Sequence, residues 1–162
     1  MAENLVISEG SKSNKYSVLY DQIIRVMEGE DDMIANMANI SSMIHQTFGF
    51  WWTGFYRVDG ESLVLGPFQG PLACSRIKYG RGVCGTAWKE ERTVIVPDVD
   101  RFPGHIACSS ASRSEIVVPV FDLEGENVIA VMDIDSDMPD TFDETDKEWL
   151  EKIAAAFRKC QE

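Results

Sequence analysis

The sequence predicts one α+β domain, in which antiparallel strands are flanked by helices near both ends of the chain. Apolar residues recur with a helical period near both ends, whereas aromatic and β-branched runs joined by turn signals fill the middle. Strands joined by short turns pair antiparallel. The length of 162 residues suits one core, and we find no linker or internal repeat. We therefore treat residues 1–162 as a single domain, with residues 1–12 as a flexible N-terminal arm.

Periodicity predicts three long helices. Apolar residues at i, i+3, i+4 and i+7 mark the first over Tyr16–Met27 and the second over Met33–Phe48. Asp31 and Asp32 stand where they favour the positive end of the second helix dipole. The stretch DETDKEWLEKIAAAF predicts the last helix, with Asp143 as its cap.

The central runs predict two hairpins. FWWTGFYRVD and SLVLGPFQ are joined at Asp59 and Gly60, a strong turn signal. EIVVPVF and VIAVMDIDS are joined through DLEGEN, and a further strand is expected at TVIV. Consecutive hairpins imply an antiparallel sheet.

Charge and composition exclude several classes of partner. The net charge of −12 would repel nucleic acid and anionic membranes, because both are bound by neutralising phosphates with Lys and Arg. No apolar run reaches the ~20 residues that span a bilayer, and MAENLVISEG lacks the regions of a signal peptide. We expect a cytoplasmic protein whose four cysteines are free thiols at rest.

A glycine-rich loop, YGRGVCGTAW, has the spacing of a dinucleotide fingerprint at Gly80, Gly82 and Gly85. A Rossmann unit needs a buried strand before the loop and a crossover of at least ~10–12 residues after it. CSRIKYG is polar, and the run at Thr93 follows too soon. We interpret the loop as a backbone corner leading into a short helix, with Cys84 near its N-terminus, where the thiol pKa would be lowered.

A second unusual stretch, DVDRFPGHIACSSASRSE, has no periodicity and contains Cys108. Ordered loops of this length are often functional, although a surface loop with an incidental thiol is an equal alternative. We expect residues 98–114 to form a mobile lid that carries Cys108. His105 either tunes the pKa of that thiol or is an ordinary loop histidine.

Carboxylates cluster at the end of the last strand. Asp133 and Asp135 should share a face with Ile129 and Val131, so that at least one lies at the margin of an apolar surface. Glu115 begins the adjoining strand. Desolvation and mutual repulsion would raise a pKa here, whereas the alternative is a set of solvated strand ends.

These stretches carry a family resemblance. FWWTGFY, LGPFQGPLAC, GRGVCGTAW, PGHIAC, SRSEIVVPV and DIDS resemble the free methionine-(R)-sulfoxide reductases, from about Tyr16 to Phe157. The resemblance implies a GAF fold, an antiparallel sheet with the N- and C-terminal helices packed on one face. GAF domains are also widespread small-molecule sensors, so a non-catalytic sensor is the alternative function.

The resemblance also implies the role of each site residue. The nucleophile is Cys108, the resolving thiol Cys74 and a less certain third thiol Cys84; Trp52 and Tyr56 line the pocket around the methyl group; Glu115, Asp133 and Asp135 contact the sulfoxide oxygen and the α-amino group. Glu115 counts as catalytic, as a candidate proton donor. The cycle would pass through a sulfenic acid and a disulfide that thioredoxin or another dithiol resets, without a metal or other cofactor.

Two further expectations complete the prediction. A zinc site formed by His105, Cys108, Cys84 and Cys74 is disfavoured, because the chain has no CxxC pair. The terminal helices are a candidate homodimer interface, and Cys160 receives no role.

Overall fold

The computed structural model describes residues 4–106 and 111–159, in which two helices are followed by a mostly β region and a last helix. Helices α1 (Lys12–Met27) and α2 (Met33–Phe48) precede strands β1 (Trp52–Asp59), β2 (Ser62–Gln69) and β3 (Arg76–Lys78). Helix α3 (Gly82–Glu90), strand β4 (Val94–Val96) and a 3-10 turn (Val99–Arg101) follow. Strands β5 (Ser114–Phe121) and β6 (Val128–Ser136) and helix α4 (Glu144–Lys159) complete the order.

Aspartates begin two of the predicted helices. Asp32 is the N-cap of α2, where its Oδ1 accepts the Ala35 N–H at 2.8 Å. The Oδ1 of Asp143 accepts the Thr145 N–H at 3.0 Å at the start of α4, which confirms the predicted cap. Over the described ranges, no helix has both the length and the apolar character that a bilayer crossing requires.

The strands form one antiparallel sheet. In the described residues it has six strands in the order β3-β2-β1-β6-β5-β4. Both predicted hairpins are confirmed: β1 and β2 close at the pair Asp59 and Ser62, and β5 and β6 close at Phe121 and Val128. The fold class predicted from the sequence is therefore confirmed.

Each face of the sheet packs into its own apolar cluster. Helices α1, α2 and α4 pack on one face, around Phe55, Val118 and Met132. On the other face Tyr56, Val117 and Val131 pack with residues of α3. That arrangement confirms the helices on one face and leaves the opposite face for a site.

The prediction that Ile129 and Val131 lie on the same face of the sheet is wrong. Ile129 packs with the helix-side cluster, while Val131 lies on the opposite face. The reason is a register shift between β5 and β6, where Val120 pairs with Ala130 but Phe121 pairs with Val128. The unpaired extra residue breaks the alternation.

The described part of the N-terminal segment runs along α1. The Val6 N–H donates to Oε1 of Gln22 and the Gln22 Nε2 donates back to the Val6 carbonyl, both at 2.8 Å. Leu5 packs against the helix-side cluster. Whether this arm moves in solution stays a prediction.

The glycine loop is a backbone corner, as interpreted, and not a nucleotide cradle. Gly80 and Gly82 have φ of 73° and 60°, which favour glycine, and the Gly80 N–H donates to the Gly85 carbonyl at 3.1 Å. The strand before the corner, β3, is a short strand paired antiparallel with β2, so no parallel crossover exists there. The corner instead starts α3 and sets Cys84 in its first turn.

Replacing Gly85 with alanine is expected to destabilise the fold by about 1–3 kcal/mol. An added Cβ would lie 2.7 Å from the Lys78 carbonyl oxygen, a backbone atom that cannot move aside cheaply. The free energy of unfolding in urea measures the effect. Gly60→Asn is the control, because Gly60 has open space and asparagine accepts its positive φ. An unchanged unfolding midpoint for Gly85→Ala would refute the close-approach argument.

Candidate active site

A cavity opens on the sheet face that the three long helices leave free. Its floor comes from neighbouring strands, since Asp135 of β6 pairs with Trp52 of β1 on one side and Glu115 of β5 on the other. The open volume is about 40 Å³. The lining comprises Trp52, Tyr56, Leu72, Ala73, Ile77, Arg81, Gly82, Val83, Cys84, His105, Ile106, Ser112, Glu115, Asp133 and Asp135.

Three carboxyl groups meet at the base of this cavity. Glu115 and Asp133 are only 5% and 6% exposed, and Asp135 is partly buried. Their burial contradicts the alternative of solvated strand ends. Like charges this close cannot all ionise at low cost, so the cluster must divide protons among its members.

Burial and neighbouring charge set that division. Desolvation, followed by the charges of Asp133 and Asp135, raises the pKa of Glu115 well above its usual value. Desolvation and the Asp133 charge likewise raise the pKa of Asp135. Desolvation also raises the pKa of Asp133, but hydrogen bonds from Glu115 and Cys84 and the charge of His105 oppose it. Protonation is therefore favoured more strongly at Glu115 and Asp135 than at Asp133, whose charged form accepts hydrogen bonds from its neighbours.

Asp133 has an acceptor to spare. Its Oδ1 is buried and has no hydrogen-bond partner among residues 4–106 and 111–159. A buried unpaired acceptor ordinarily costs about 1–3 kcal/mol. Asp133 also lines the cavity, so this unpaired oxygen suits a hydrogen-bond donor such as an ammonium group.

Cys84 lies in this cluster, but its predicted pKa shift is wrong in direction. The side chain is 3% exposed, and its Sγ lies within 4.8 Å of carboxyl oxygens of Glu115 and Asp133. Desolvation and the nearby carboxylates raise the thiol pKa well above its usual value. These effects outweigh the start of α3, so Cys84 is a hydrogen-bond donor here and not a thiolate.

The same three groups are near enough together to share a metal ion. Metal binding would require the Cys84 thiolate, which its surroundings oppose, and structural zinc takes four ligands. The disfavoured zinc set also loses Cys74, which is disulfide-bonded. The absence of a metal requirement stays a prediction.

Two aromatic side chains of β1 anchor the segment that carries Cys74. The Trp52 Nε1–H donates to the Pro71 carbonyl at 3.1 Å, and the Tyr56 hydroxyl donates to the Cys74 carbonyl at 2.9 Å. The two rings lie 6.0 Å apart and nearly parallel. A Cβ at Gly54 would lie 2.7 Å from the Trp52 ring, so this glycine leaves room for the indole. Trp52 and Tyr56 thus form one wall of the cavity and position its rim.

Of the other three cysteines, the structure describes Cys74 alone. Cys74 is partly buried and one half of a disulfide, so the expectation that all four cysteines are free is wrong there, because the structure holds an oxidised form. Cys108 and Cys160 lie outside the described residues, as does the middle of the segment predicted to act as a lid. The ends of that segment are held, since the Val99 N–H donates to the Arg113 carbonyl at 2.9 Å. Its motion stays a prediction.

Three lining residues with polar side chains were missed or left undecided by sequence reasoning. His105 Nε2 lies 3.8 Å from Glu115 Oε2, and the Ser112 hydroxyl donates to Asp135 Oδ1 at 3.0 Å. Arg81 borders the same cavity. His105 and Ser112 come from an aperiodic stretch and Arg81 from a glycine corner, so no pattern pointed to their neighbours.

Comparison with known proteins agrees with this geometry. The GAF domain model matches residues 32–159. GAF domain-containing protein A of Dictyostelium discoideum is 55% identical over 94% of this chain and 96% of its own. The free methionine-R-sulfoxide reductase of Saccharomyces cerevisiae is 41% identical over 94% and 91%.

A solved structure is also similar to this chain in its fold. The free methionine-R-sulfoxide reductase of Neisseria meningitidis in complex with its substrate is 49% identical and has a TM-score of 0.94, covering 98% of this chain and 95% of that one. Such identity over nearly the whole length extends beyond a shared fold. The chain therefore belongs to the GAF domain family and, within it, to the free methionine-R-sulfoxide reductases.

Proposed function

We propose that this protein reduces free L-methionine-(R)-S-oxide to L-methionine at the expense of thiols. The observation that carries the proposal is the buried carboxyl cluster that lines the cavity, in which burial raises the pKa of Glu115 and Asp135 well above the usual value and hydrogen bonds favour the charged form of Asp133. The Saccharomyces and Neisseria relatives that bear the name of this activity support it.

The carboxyl cluster supplies both kinds of group that the reaction needs. A sulfoxide oxygen is a poor leaving group until it is protonated, and Glu115 is a carboxylic acid held neutral by burial. The free Oδ1 of Asp133 accepts the substrate ammonium. Trp52 and Tyr56 enclose the methyl group, which is apolar and needs no partner.

Thiol chemistry completes the cycle. The Cys108 sulfur attacks the sulfoxide sulfur, the S–O bond of the substrate breaks, and methionine leaves while the oxygen ends as the Cys108 sulfenic acid. The Cys74 thiol condenses with that acid to form a disulfide and water. A dithiol protein of the thioredoxin type then reduces the disulfide by exchange and becomes oxidised itself. Cys74 follows Leu72 and Ala73, which line the cavity, and it takes part in a disulfide, which suits this role.

Cys84 has a subordinate part in this scheme. Its thiol pKa is raised, so it attacks poorly, and it instead donates a hydrogen bond that holds Asp133 in its charged form. The reductant and the free thiols of such a cycle belong to a reducing compartment, and we propose that the protein acts in the cytoplasm.

NADPH consumption through thioredoxin and thioredoxin reductase tests the proposal. We expect turnover of free methionine-R-sulfoxide, and little or none of the S epimer or of a peptide with an internal methionine sulfoxide, because an enclosed cavity with a buried acceptor for an ammonium excludes a chain. A variant with Cys74, Cys84 and Cys108 all changed to serine is the control for background reduction. Equal rates on the peptide and on the free amino acid would overturn the proposal, as would ligand binding without any turnover, which is the sensor alternative.

A further inference from the structure

We propose that residues 70–75, called the strap, are the docking surface for an acidic dithiol protein that reduces the Cys74 disulfide, with Leu72 as the central contact. This inference rests on the proposed function, because it names the surface that the reductant of that cycle uses. The cycle requires disulfide exchange but assigns no residue to recognition of the reductant. Four properties of the strap point to this role: its exposed apolar side chain, its rigidity, its free backbone groups and the charge of the surrounding chain.

Leu72 presents an apolar side chain to solvent beside the disulfide. It is 89% exposed, the largest value among the exposed large hydrophobic side chains of residues 4–106 and 111–159. Two residues further along the chain, Cys74 is one half of a disulfide. A partner that covers Leu72 removes its apolar surface from water, which favours binding. A single exposed leucine is ordinary on a protein surface, so its meaning comes from this position and from how the backbone holds it.

Hydrogen bonds hold the strap on both sides of Leu72. The Trp52 Nε1–H donates to the Pro71 carbonyl at 3.1 Å, and the Tyr56 hydroxyl donates to the Cys74 carbonyl at 2.9 Å. Both donors belong to β1, a central strand of the sheet. A surface that is already ordered loses little conformational entropy when a partner docks on it. The strap therefore holds Leu72 in solvent at a fixed place next to the disulfide.

The backbone of the strap has donors and acceptors to spare. Within the described part of the chain, neither the N–H nor the carbonyl group of Leu72 and Ala73 forms a hydrogen bond. Free main-chain groups of this kind can pair with the main chain of a partner, as when a strand is added to an exposed edge. Such pairing runs along the strap and brings the reactive thiol of the partner to Cys74.

Charge selects the kind of reductant. Residues 62–89, which include the strap, contain four of the 15 basic residues of the chain and none of its 27 acidic residues. The four basic residues are exposed: Arg76, Lys78, Arg81 and Lys89. Because the whole chain has a net charge of −12, this positive region orients a negatively charged partner towards the strap while the rest of the chain repels it. An acidic protein of the thioredoxin type fits both the charge and the chemistry.

The exchange that follows docking has two steps. One thiolate of the reductant bonds to Cys74 Sγ, the disulfide of the chain breaks, and its other sulfur leaves as a thiol. The second thiolate of the reductant then attacks this mixed disulfide, which releases the Cys74 thiol and leaves the reductant oxidised. Two electrons pass to the chain, and the two protons that the reductant loses end on the two released thiols.

Reduction of the oxidised protein by two reductants, without any sulfoxide, tests the docking surface. Reduced thioredoxin has a protein surface that can dock, whereas dithiothreitol offers two thiols and almost no surface. The quantity to measure is the ratio of the two second-order rate constants, from acid quenching, thiol alkylation and mass spectrometry. We expect Leu72→Ser to lower this ratio of thioredoxin to dithiothreitol by about tenfold to a hundredfold, the effect on affinity of burying one leucine side chain.

Val6→Ser is the matched control, because Val6 is a 64% exposed apolar side chain on the segment that runs along α1. It should leave the ratio of rate constants unchanged, and thermal unfolding should show that all variants fold. An unchanged ratio in Leu72→Ser would overturn the docking surface. So would a raised KM for the sulfoxide as the only effect, because Leu72 would then be a cover of the substrate cavity.

Ionic strength tests the charge of the partner. The rate constant with reduced thioredoxin should fall as salt is added, because screening weakens the orienting field. Arg76→Glu should lower that rate constant severalfold and weaken its salt dependence. Arg25→Glu makes the same change of charge on α1, outside residues 62–89, and should do neither. A rate constant that rises with salt in the wild type would overturn the assignment of an acidic partner.

Failure of the docking surface and failure of the proposed function give different results. A wild type that does not turn over the sulfoxide would remove the proposed function, whereas the exchange assay contains no sulfoxide and still tests the strap. A wild type that turns over the sulfoxide with dithiothreitol, but whose disulfide thioredoxin reduces no faster than dithiothreitol does, would overturn the docking surface and leave the reductase activity intact.

Discussion

Changing Cys108 to serine is expected to abolish methionine formation even in a single turnover. A serine hydroxyl has the shape of the thiol but is a far weaker nucleophile toward sulfoxide sulfur, so the first step of the proposed cycle should stop. The measurement is methionine released per protein chain after mixing fully reduced protein with excess sulfoxide and no external reductant. We expect a loss of at least about a thousandfold, the size usual for removing a nucleophile.

Cys74→Ser is the matched variant, because it removes the resolving thiol and keeps the nucleophile. It should release one equivalent of methionine and then stall as a sulfenic acid, or as a disulfide with Cys84. Trapping with dimedone followed by mass spectrometry distinguishes the two. A full burst from Cys108→Ser, or no burst from Cys74→Ser, would reverse the assignment of the two thiols.

Much of the fold follows from local pattern, and the exceptions have a tertiary cause. The caps at Asp32 and Asp143 and the turn at Asp59 and Gly60 are local signals, and the structure retains all three. The predicted sheet face of Ile129 is wrong because strict alternation along a strand takes no account of bulges. The bulge is visible only in the pairing of β5 with β6.

The site shows the same contrast more sharply. Carboxylates two apart on one strand and one on its neighbour predicted a cluster, since register places Glu115 beside Asp135. The predicted direction of the Cys84 pKa shift is wrong because the start of a helix is a local feature. The desolvation that dominates this pKa comes from strands that are distant in the sequence. His105 and Ser112 reach the cavity through a loop without periodicity, so their positions depend on packing that the sequence does not display.

Changing Glu115 to glutamine should lower the rate of methionine formation by about a hundredfold to ten-thousandfold, the usual contribution of a general acid. The amide retains shape and hydrogen-bonding capacity but cannot deliver an acidic proton. Single-turnover methionine release measures the step directly, so that slow reduction of the disulfide cannot mask the effect. Glu124→Gln, in the exposed turn between β5 and β6, is the control for loss of a charge. A near-normal rate would transfer the role of proton donor to Asp135.

The same substitution should stabilise the fold at about pH 8 while it impairs the reaction. The folded-state pKa of Glu115 is raised, so the unfolded chain loses its proton first as pH rises, and the folded protein must hold the proton at a growing cost. The unfolding free energy of the wild type should therefore fall from just below the ordinary pKa of 4.5 up to the raised one. Glu115→Gln should lack the part of this fall that Glu115 contributes, whereas the raised pKa values of Asp133 and Asp135 act in both proteins. Near pH 4 both forms carry a neutral group and should differ little, whereas at about pH 8 the variant should unfold about 2–4 °C higher, or on the order of 1 kcal/mol. Urea unfolding across this pH series checks the sign. The quantity to follow is the unfolding free energy of the variant minus that of the wild type. If this difference were smaller at about pH 8 than at pH 4, Glu115 would not be a buried neutral acid.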